Sequence, residues 1–300
     1  MDESQPWCTR ASEAAGEPIA GTAAARVDAW LLLEYRGAWA SKAWESAEVS
    51  PAVRTHVDAW ARATTGSRIQ LVRRRAESQG LALYLVSSRQ SRPLAARFEL
   101  ADHDAIVALD LVAATAALRA GTLPGGAEPL ARPLVLVCTN GKRDRCCAKW
   151  GLPVYDAIAE RPDIDAWQTT HLGGHRFAAT LVWLPEGLCF GRVTPQGIDA
   201  LVDAGLRREI DPLSCLRGRT ALSEAAQAAE CAWRLEHGAL GFDDVVVERD
   251  EQQGDHGEIE ASVRGSRVQL HMHAQATGAS APPSCGKPIE AIVAWRGVTG

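Results

Sequence analysis

The strongest constraint on the fold is that one order of predicted elements occurs twice along the chain. The first half is predicted to run strand, helix, strand, strand, strand, helix over residues 29–37, 50–66, 68–75, 81–89, 96–100 and 102–121. The segments 68–75 and 81–89, separated by ESQG, are expected to form a hairpin. The second is predicted to run strand, helix, strand, two strands around a Pro-Glu-Gly turn, helix over residues 133–141, 151–163, 165–172, 177–193 and 194–210. Capping residues support these helices; Ser50 and Pro51, for example, fit the start of the first one. Two units of similar length are therefore expected.

A Pro- and Gly-rich linker at 123–133 separates the two predicted units. Each unit has the order β-α-β followed by β-β-α, which is the core order of a thioredoxin-like fold. After about residue 240, short segments with β-like alternation predict a small β appendage. The predicted fold class is α/β, with two thioredoxin-like units and a C-terminal β appendage. The expected domains are 1–125, 126–235 and 236–300.

Charge and hydropathy exclude several classes of protein. The formal net charge is −5, and Lys and Arg are scattered, so nucleic acid is not an expected partner. No run of about 18 apolar residues occurs, so no membrane span is expected. The first 18 residues are acidic and polar where a signal peptide would be basic and then apolar. We expect a cytoplasmic monomer whose two units form an internal pseudo-dimer.

Eight cysteines in a reducing compartment favour metal binding or redox chemistry over structural disulfides. Cysteines in apolar or helical surroundings are expected to be buried small side chains, namely Cys189, Cys215 and Cys231. The stretch CTNGKRDRCC differs, because it places Cys138, Cys146 and Cys147 in one short segment after a buried strand. It contains no C-x-x-C, which disfavours thioredoxin-type exchange.

Two histidines follow the next predicted strand, in the sequence HLGGH. In a thioredoxin-like order the first two strands of a unit end at the same edge of the sheet. His171 and His175 are therefore expected to face Cys138 and Cys147, and the two intervening glycines allow a backbone turn that brings both rings inward. Two thiolates and two imidazoles form a four-ligand set for Zn²⁺ or for an iron–sulfur cluster. The residues alone leave both open, although eight residues between the cysteines are more than a zinc knuckle usually has.

The segments CTNGKRDRCCAKWG and HLGGHRFAATLVWLPEGLCFGRV resemble the sucrase/ferredoxin-like family, relatives of the thioredoxin-like ferredoxins. The likeness extends to Cys8, to WLLLEYRGAW and to the closing SCGKP. This resemblance implies a [2Fe–2S] cluster outside the Rieske fold, with Cys138, Cys147, His171 and His175 as ligands. Cys146 is not expected to bind the cluster.

The implied function is electron transfer with an unidentified redox partner protein, so the chain is expected to be a carrier more than an enzyme. Imidazole ligands would make the cluster less negative than four thiolates and raise its potential. An imidazole whose second nitrogen is free can gain a proton on reduction, which would couple electron transfer to pH.

Charged residues flank the expected ligands. Lys142, Arg143, Arg145 and Arg176 are candidates for hydrogen bonds to the cluster or for steering an acidic partner. Asp144 is expected either to orient Arg143 or to cap the following helix.

The first unit is expected to be a degenerate copy without ligands. Aligning Gly37 with Gly141 places Glu34 opposite Cys138, and residues 38–75 supply no matching pair of Cys or His.

Two other functions remain open from the residues. One is a colourless, zinc-stabilised thioredoxin-like scaffold, and the other is a thiol-dependent reductase that uses Cys146 or Cys147. A second metal site is also considered at His271 and His273 with Cys285, although an exposed strand carrying two histidines is more common.

Overall fold

The structure is a computed structural model that describes residues 7–75 and 79–298. Its helices are α1 (Cys8–Ala14), α2 (Pro51–Ala63), α3 (Leu111–Arg119), α4 (Arg145–Ala159), α5 (Ile198–Leu206) and α6 (Glu224–His237). Its strands are β1 (Ala29–Glu34), β2 (Ser67–Arg73), β3 (Leu81–Ser87), β4 (Leu94–Leu100), β5 (Glu128–Pro129), β6 (Leu134–Cys138), β7 (Asp165–Thr169), β8 (Leu181–Leu184), β9 (Leu188–Phe190), β10 (Leu216–Arg219), β11 (Val245–Gln253), β12 (His256–Val263), β13 (Ser266–Ala281) and β14 (Glu290–Val298).

Ten strands form one sheet in the order β10-β9-β8-β6-β7-β2-β1-β3-β4-β5. Within it the order β2-β1-β3-β4 is matched by β7-β6-β8-β9. In both sets the first two strands of the unit are parallel and the third pairs antiparallel with the first. The structure therefore confirms two thioredoxin-like units in an α/β chain.

The two units are joined through equivalent edge strands. β2 and β7 pair antiparallel, with Val72 opposite Thr169 and Arg73 opposite Gln168. Two copies of one unit would meet in this way across a two-fold axis. The carboxyl ends of β6 and β7, where the candidate ligands lie, are thereby brought beside residues of the first unit.

Burial explains why β6 and all of β1 before Glu34 are apolar. Each is flanked by strands on both sides, and every residue of each is buried. A strand covered on both faces is expected to be a continuous apolar run without alternation. The predicted cap of α2 is also present, because the Ser50 hydroxyl accepts a hydrogen bond from the Val53 N–H at 3.3 Å.

Two local predictions are wrong. The segments 68–75 and 81–89 do not form a hairpin, because β1 lies between β2 and β3 and pairs with both. The helix predicted from residue 151 begins at Arg145, since Asp144 caps it by accepting a hydrogen bond from the Cys146 N–H at 2.8 Å. Cys146 and Cys147 therefore lie in the first turn of α4 and not in a loop.

The C-terminal strands form a separate antiparallel sheet in the order β11-β12-β13-β14. Helix α6 packs on it through a cluster that includes Trp233, Val245, Ile259 and Met272. This confirms the β appendage, while the domain boundaries stay predictions. Among the described residues, no helix combines the length and apolarity needed to cross a bilayer.

Candidate metal centre

The first candidate ligand, Cys138, is the last residue of β6, and it pairs in parallel register with Thr169 at the end of β7. The predicted meeting of the two strand ends is therefore present. Helix α4 passes close to this point at Gly151, where a Cβ would lie 2.1 Å from the Cys138 carbonyl oxygen. Glycine at this position allows α4 to bring Cys147 beside Cys138.

Cys138, Cys147 and His171 form a group whose ligand atoms all lie within 4.8 Å of one another. Both cysteines are buried. The hydrogen bond between the two thiols lowers the pKa of Cys138 well below its usual value and raises that of Cys147 well above it. The neighbouring His171 also lowers the pKa of Cys138, and a bound cation would favour the thiolate form of both cysteines.

The turn between the histidines has the backbone that the glycines were expected to allow. Gly173 and Gly174 have φ angles of 98° and 67°, in the left-handed region that favours glycine. This turn places the His171 and His175 rings with centroids 4.9 Å apart and planes tilted by 30°. His175 contacts His171 in this way, but it is not part of the group of three whose ligand atoms lie within 4.8 Å of one another.

Both imidazoles carry a nitrogen that lacks a partner. The Nδ1 atoms of His171 and His175 are buried and make no hydrogen bond to any described residue. Burying a polar atom without a partner is costly, and a metal ligand is one of the few roles that removes the cost. Two buried thiols and two unpartnered imidazole nitrogens fit a metal centre of mixed sulfur and nitrogen ligands.

The first unit holds His171 in place, which the sequence did not predict. Arg68 of β2 donates a hydrogen bond of 2.7 Å to the His171 carbonyl oxygen, and the Gln70 amide donates another of 3.3 Å. Burial lowers the pKa of Arg68. These contacts depend on the β2·β7 junction, which sequence periodicity does not reveal.

Arg217 supports the same turn from the other side and was also missed. Its fully buried guanidinium donates to the Gly173 carbonyl oxygen at 3.0 Å and to the Thr22 hydroxyl at 3.1 Å. A Cβ at Gly174 would lie 2.2 Å from an Arg217 nitrogen. Gly174 is therefore needed for space as well as for backbone conformation, whereas at Gly173 only the positive φ favours glycine, since nothing lies within 4 Å of its Cβ position.

The charged residues expected to flank the ligands have different surroundings. Lys142 and Arg143 are exposed. Arg176 forms an ion pair of 2.6 Å with buried Glu17, and the Arg145 guanidinium stacks 4.4 Å from the Trp7 ring centre. Their roles toward a cluster or a partner stay predictions.

Asp144 caps α4, as one of the two sequence predictions had it. Its Oδ2 also lies 3.8 Å from His175 Nε2. Burial lowers the pKa of His175, and the Asp144 charge opposes that shift without cancelling it.

In the first unit, Glu34 occupies the strand end that corresponds to Cys138. It is buried, accepts from the Ala82 N–H at 2.9 Å and pairs with Arg36 at 3.0 Å. An ion pair therefore lies where the second unit has a thiol, and the described part of the first unit contains no cluster of Cys and His.

The remaining cysteines divide into two sets. Cys189 and Cys231 are buried, as expected, while Cys215 is half-buried. Cys285 groups with Cys8, Asp144 and Cys146, and not with His271 and His273.

The fold and the site define a thioredoxin-like α/β protein with a cysteine–histidine centre in its second unit. The sequence profile of the Sucrase/ferredoxin-like family matches residues 19–218, and the chain belongs to that family.

Curated relatives match a shorter stretch. "Altered inheritance of mitochondria protein 32" of Meyerozyma guilliermondii is 30% identical over 87 residues, which are 26% of this chain and 31% of the relative. The protein of the same name from Eremothecium gossypii is 31% identical over 98 residues, 28% of this chain and 31% of the relative. The chain thus spans less than a third of the length of these relatives.

Among solved structures, the wild-type thioredoxin-like [2Fe-2S] ferredoxin from Aquifex aeolicus is 18% identical. It is matched over its whole length by 30% of this chain, with a TM-score of 0.27. Its Cys59Ser variant is 19% identical, with 29% of this chain covering 99% of that chain and a TM-score of 0.26.

Proposed function

We propose that this chain is an electron-transfer protein that binds a [2Fe–2S] cluster through Cys138, Cys147, His171 and His175. The observation that carries the proposal is the meeting of the buried Cys138 and Cys147 thiols with His171, together with a buried, unpartnered Nδ1 atom on His171 and on His175, whose ring lies against it. A bound cluster would supply one-electron redox chemistry at a potential raised by its two imidazole ligands.

The cysteine side and the histidine side of the site differ in burial. Cys138 and Cys147 are buried, which keeps solvent from the sulfur side. The histidines are only half-buried, and the His175 side chain is 13% exposed. The histidine side is therefore the shorter path to a docked partner. Exposed Arg143, whose charge acts on His175, would together with exposed Lys142 favour an acidic partner. The partner's identity and proton coupling at the histidines stay predictions.

Thiol-dependent reduction is less well supported. Cys138, Cys146 and Cys147 are all buried, with at most 1% of the residue exposed. A thiol that attacks an external disulfide needs access as well as thiolate character. The zinc scaffold uses the same four ligands and differs in metal content and redox activity, so it is separated by experiment.

The test is the composition and spectra of anaerobically purified protein. We expect a coloured protein with about two irons and two sulfides per chain and an EPR signal on reduction. Cys147→Ser is expected to lose most of the iron, whereas Cys231→Ser, a buried thiol in another cluster of the core, retains it. A colourless protein with one zinc at these ligands, and no iron after reconstitution, would establish the scaffold instead.

A further inference from the structure

Three cysteines that are far apart in the sequence meet at the start of α4. Cys8 begins α1, Cys146 lies in the first turn of α4, and Cys285 lies between β13 and β14. The Cys8–Cys146 and Cys146–Cys285 sulfur distances are both 3.4 Å, and the Cys8–Cys285 distance is 3.6 Å. The three sulfurs form a nearly equilateral triangle.

A carboxylate completes the group. The Asp144 oxygens lie 3.8 and 3.9 Å from the Cys8 sulfur, and the four ligand atoms of the group all fall within 4.8 Å of one another. Zinc–sulfur bonds of about 2.3 Å and zinc–oxygen bonds of about 2.0 Å imply tetrahedral edges of about 3.8 Å between sulfurs and about 3.5 Å between sulfur and oxygen. The three sulfur–sulfur distances and the Cys8–Asp144 distance are therefore close to the edges of such a tetrahedron, and the other two edges are at most 4.8 Å.

The surroundings orient these groups. Asp144 accepts hydrogen bonds from the Cys146 N–H at 2.8 Å, from the Cys285 N–H at 2.9 Å and from the Ser284 hydroxyl at 2.7 Å. Backbone N–H groups also reach the sulfurs, from Cys8 to Cys285 and from Thr9 to Cys146. Hydrogen bonds of this kind hold metal ligands in position and favour thiolates over thiols.

The carboxylate and the three sulfurs are brought together in a largely buried place. Cys8 and Cys146 are fully buried, Asp144 is 4% exposed, and Cys285 is half-buried. The side chains of Trp7 and Trp150 pack against the same cluster. A buried carboxylate beside three ionisable sulfurs gains most from a divalent cation placed between them.

We propose that Cys8, Cys146, Cys285 and Asp144 form a structural zinc site, distinct from the centre formed by Cys138, Cys147, His171 and His175. Three thiolates and one carboxylate in a closed, tetrahedral arrangement suit Zn²⁺, which has no redox chemistry of its own. The ion would tie α1 and the β13–β14 connection to the start of α4. Binding releases the thiol protons and makes no change of oxidation state.

The test substitutes ligands of each set in turn and measures zinc and iron in the same samples. Wild-type protein, Cys8→Ser, Cys285→Ser, Cys147→Ser and the control Cys231→Ser are purified anaerobically, and both metals are counted per chain. We expect about one zinc in the wild type, Cys147→Ser and Cys231→Ser. Cys8→Ser and Cys285→Ser are expected to lose at least tenfold in zinc affinity, measured by competition with a chelator.

Cobalt substitution provides a readout that does not depend on the cluster. Co²⁺ added to metal-depleted Cys147→Ser is expected to give sulfur-to-cobalt charge-transfer absorption that Cys285→Ser weakens. The zinc site is contradicted if wild-type protein holds no zinc while the three thiols are titratable, or if mass mapping finds a disulfide among them. Zinc that is lost in Cys147→Ser and retained in Cys8→Ser and Cys285→Ser would also contradict the zinc site. It would at the same time replace the proposed cluster with zinc. If the wild type and every variant contain no iron, while zinc behaves as expected, the zinc site stands and only the proposed function is overturned.

Discussion

Arg68 donates a hydrogen bond of 2.7 Å to the carbonyl oxygen of His171, across the junction between the two thioredoxin-like units. The described part of the first unit supplies no ligand to the cysteine–histidine centre, yet it fixes the backbone of a candidate ligand in the second unit. The unit that lacks the chemistry is therefore part of the site, because the antiparallel pairing of β2 with β7 brings its side chains there.

Arg68→Ala is expected to weaken iron retention. A hydrogen bond from a charged donor is worth about 1.5–3 kcal/mol, and only the longer Gln70 contact would remain on the His171 carbonyl. Iron per chain after chelator challenge and gel filtration measures the effect. Arg97→Ala, at a surface ion-pair arginine on β4 of the same unit, is the control and is expected to retain iron. Equal retention in both variants would show that the contact does not position His171.

Gly151→Ala is expected to disturb the centre through its backbone. The added Cβ would lie 2.1 Å from the Cys138 carbonyl oxygen, so α4 and β6 must separate. We expect a loss of about 1–3 kcal/mol in the free energy of unfolding, together with reduced iron content. Gly125→Ala is the matched control, since nothing lies within 4 Å of its Cβ position. Wild-type stability and iron content in Gly151→Ala would refute the close packing.

Glu230→Gln is expected to destabilise the packing of α6. The Glu230 carboxylate is buried between Arg219 at 3.0 Å and Arg234 at 2.8 Å, and neutralising it leaves two buried cations. Removing one partner of a buried ion pair typically costs about 3–5 kcal/mol. Denaturant unfolding at pH 7 measures the cost, with exposed Glu236→Gln on the same helix as the control. A loss in the free energy of unfolding no larger than that of Glu236→Gln would contradict this role of Glu230.

The same three residues predict how the stability difference between wild type and Glu230→Gln changes with pH. Burial alone would raise the pKa of Glu230, but the two arginines outweigh it and lower the pKa below its ordinary 4.5. A lowered folded-state pKa adds stability that is complete above the unfolded value and is lost as pH falls through the folded value. The gap between wild type and Glu230→Gln should be constant from pH 7 down to about 5 and shrink only below about 4.5. A gap that closes between pH 7 and 5 would show that Glu230 is protonated in the native state.

The sequence predicted the units correctly because they depend on local signals, and it pointed to the candidate ligand pairs, whose ligation stays a prediction, through the same kind of signal. Apolar runs, caps at Ser50 and Asp144, and the Gly-Gly turn each leave a readable pattern within a few residues. The false hairpin shows the limit, since nothing local reveals that β1 separates β2 from β3. Arg68, Arg217 and the meeting of Cys8 with Cys285 depend on pairings between distant segments, which periodicity does not encode.

The most direct measurement of the central claim is pulsed EPR of the reduced protein, compared with His171→Cys. Nitrogen couplings from two coordinated imidazoles are predicted in the wild type, falling to one in His171→Cys. That substitution should also lower the reduction potential, because a thiolate adds negative charge to the cluster. A reduced cluster without coordinated nitrogen, or nitrogen couplings unchanged by His171→Cys, would contradict ligation by these two histidines.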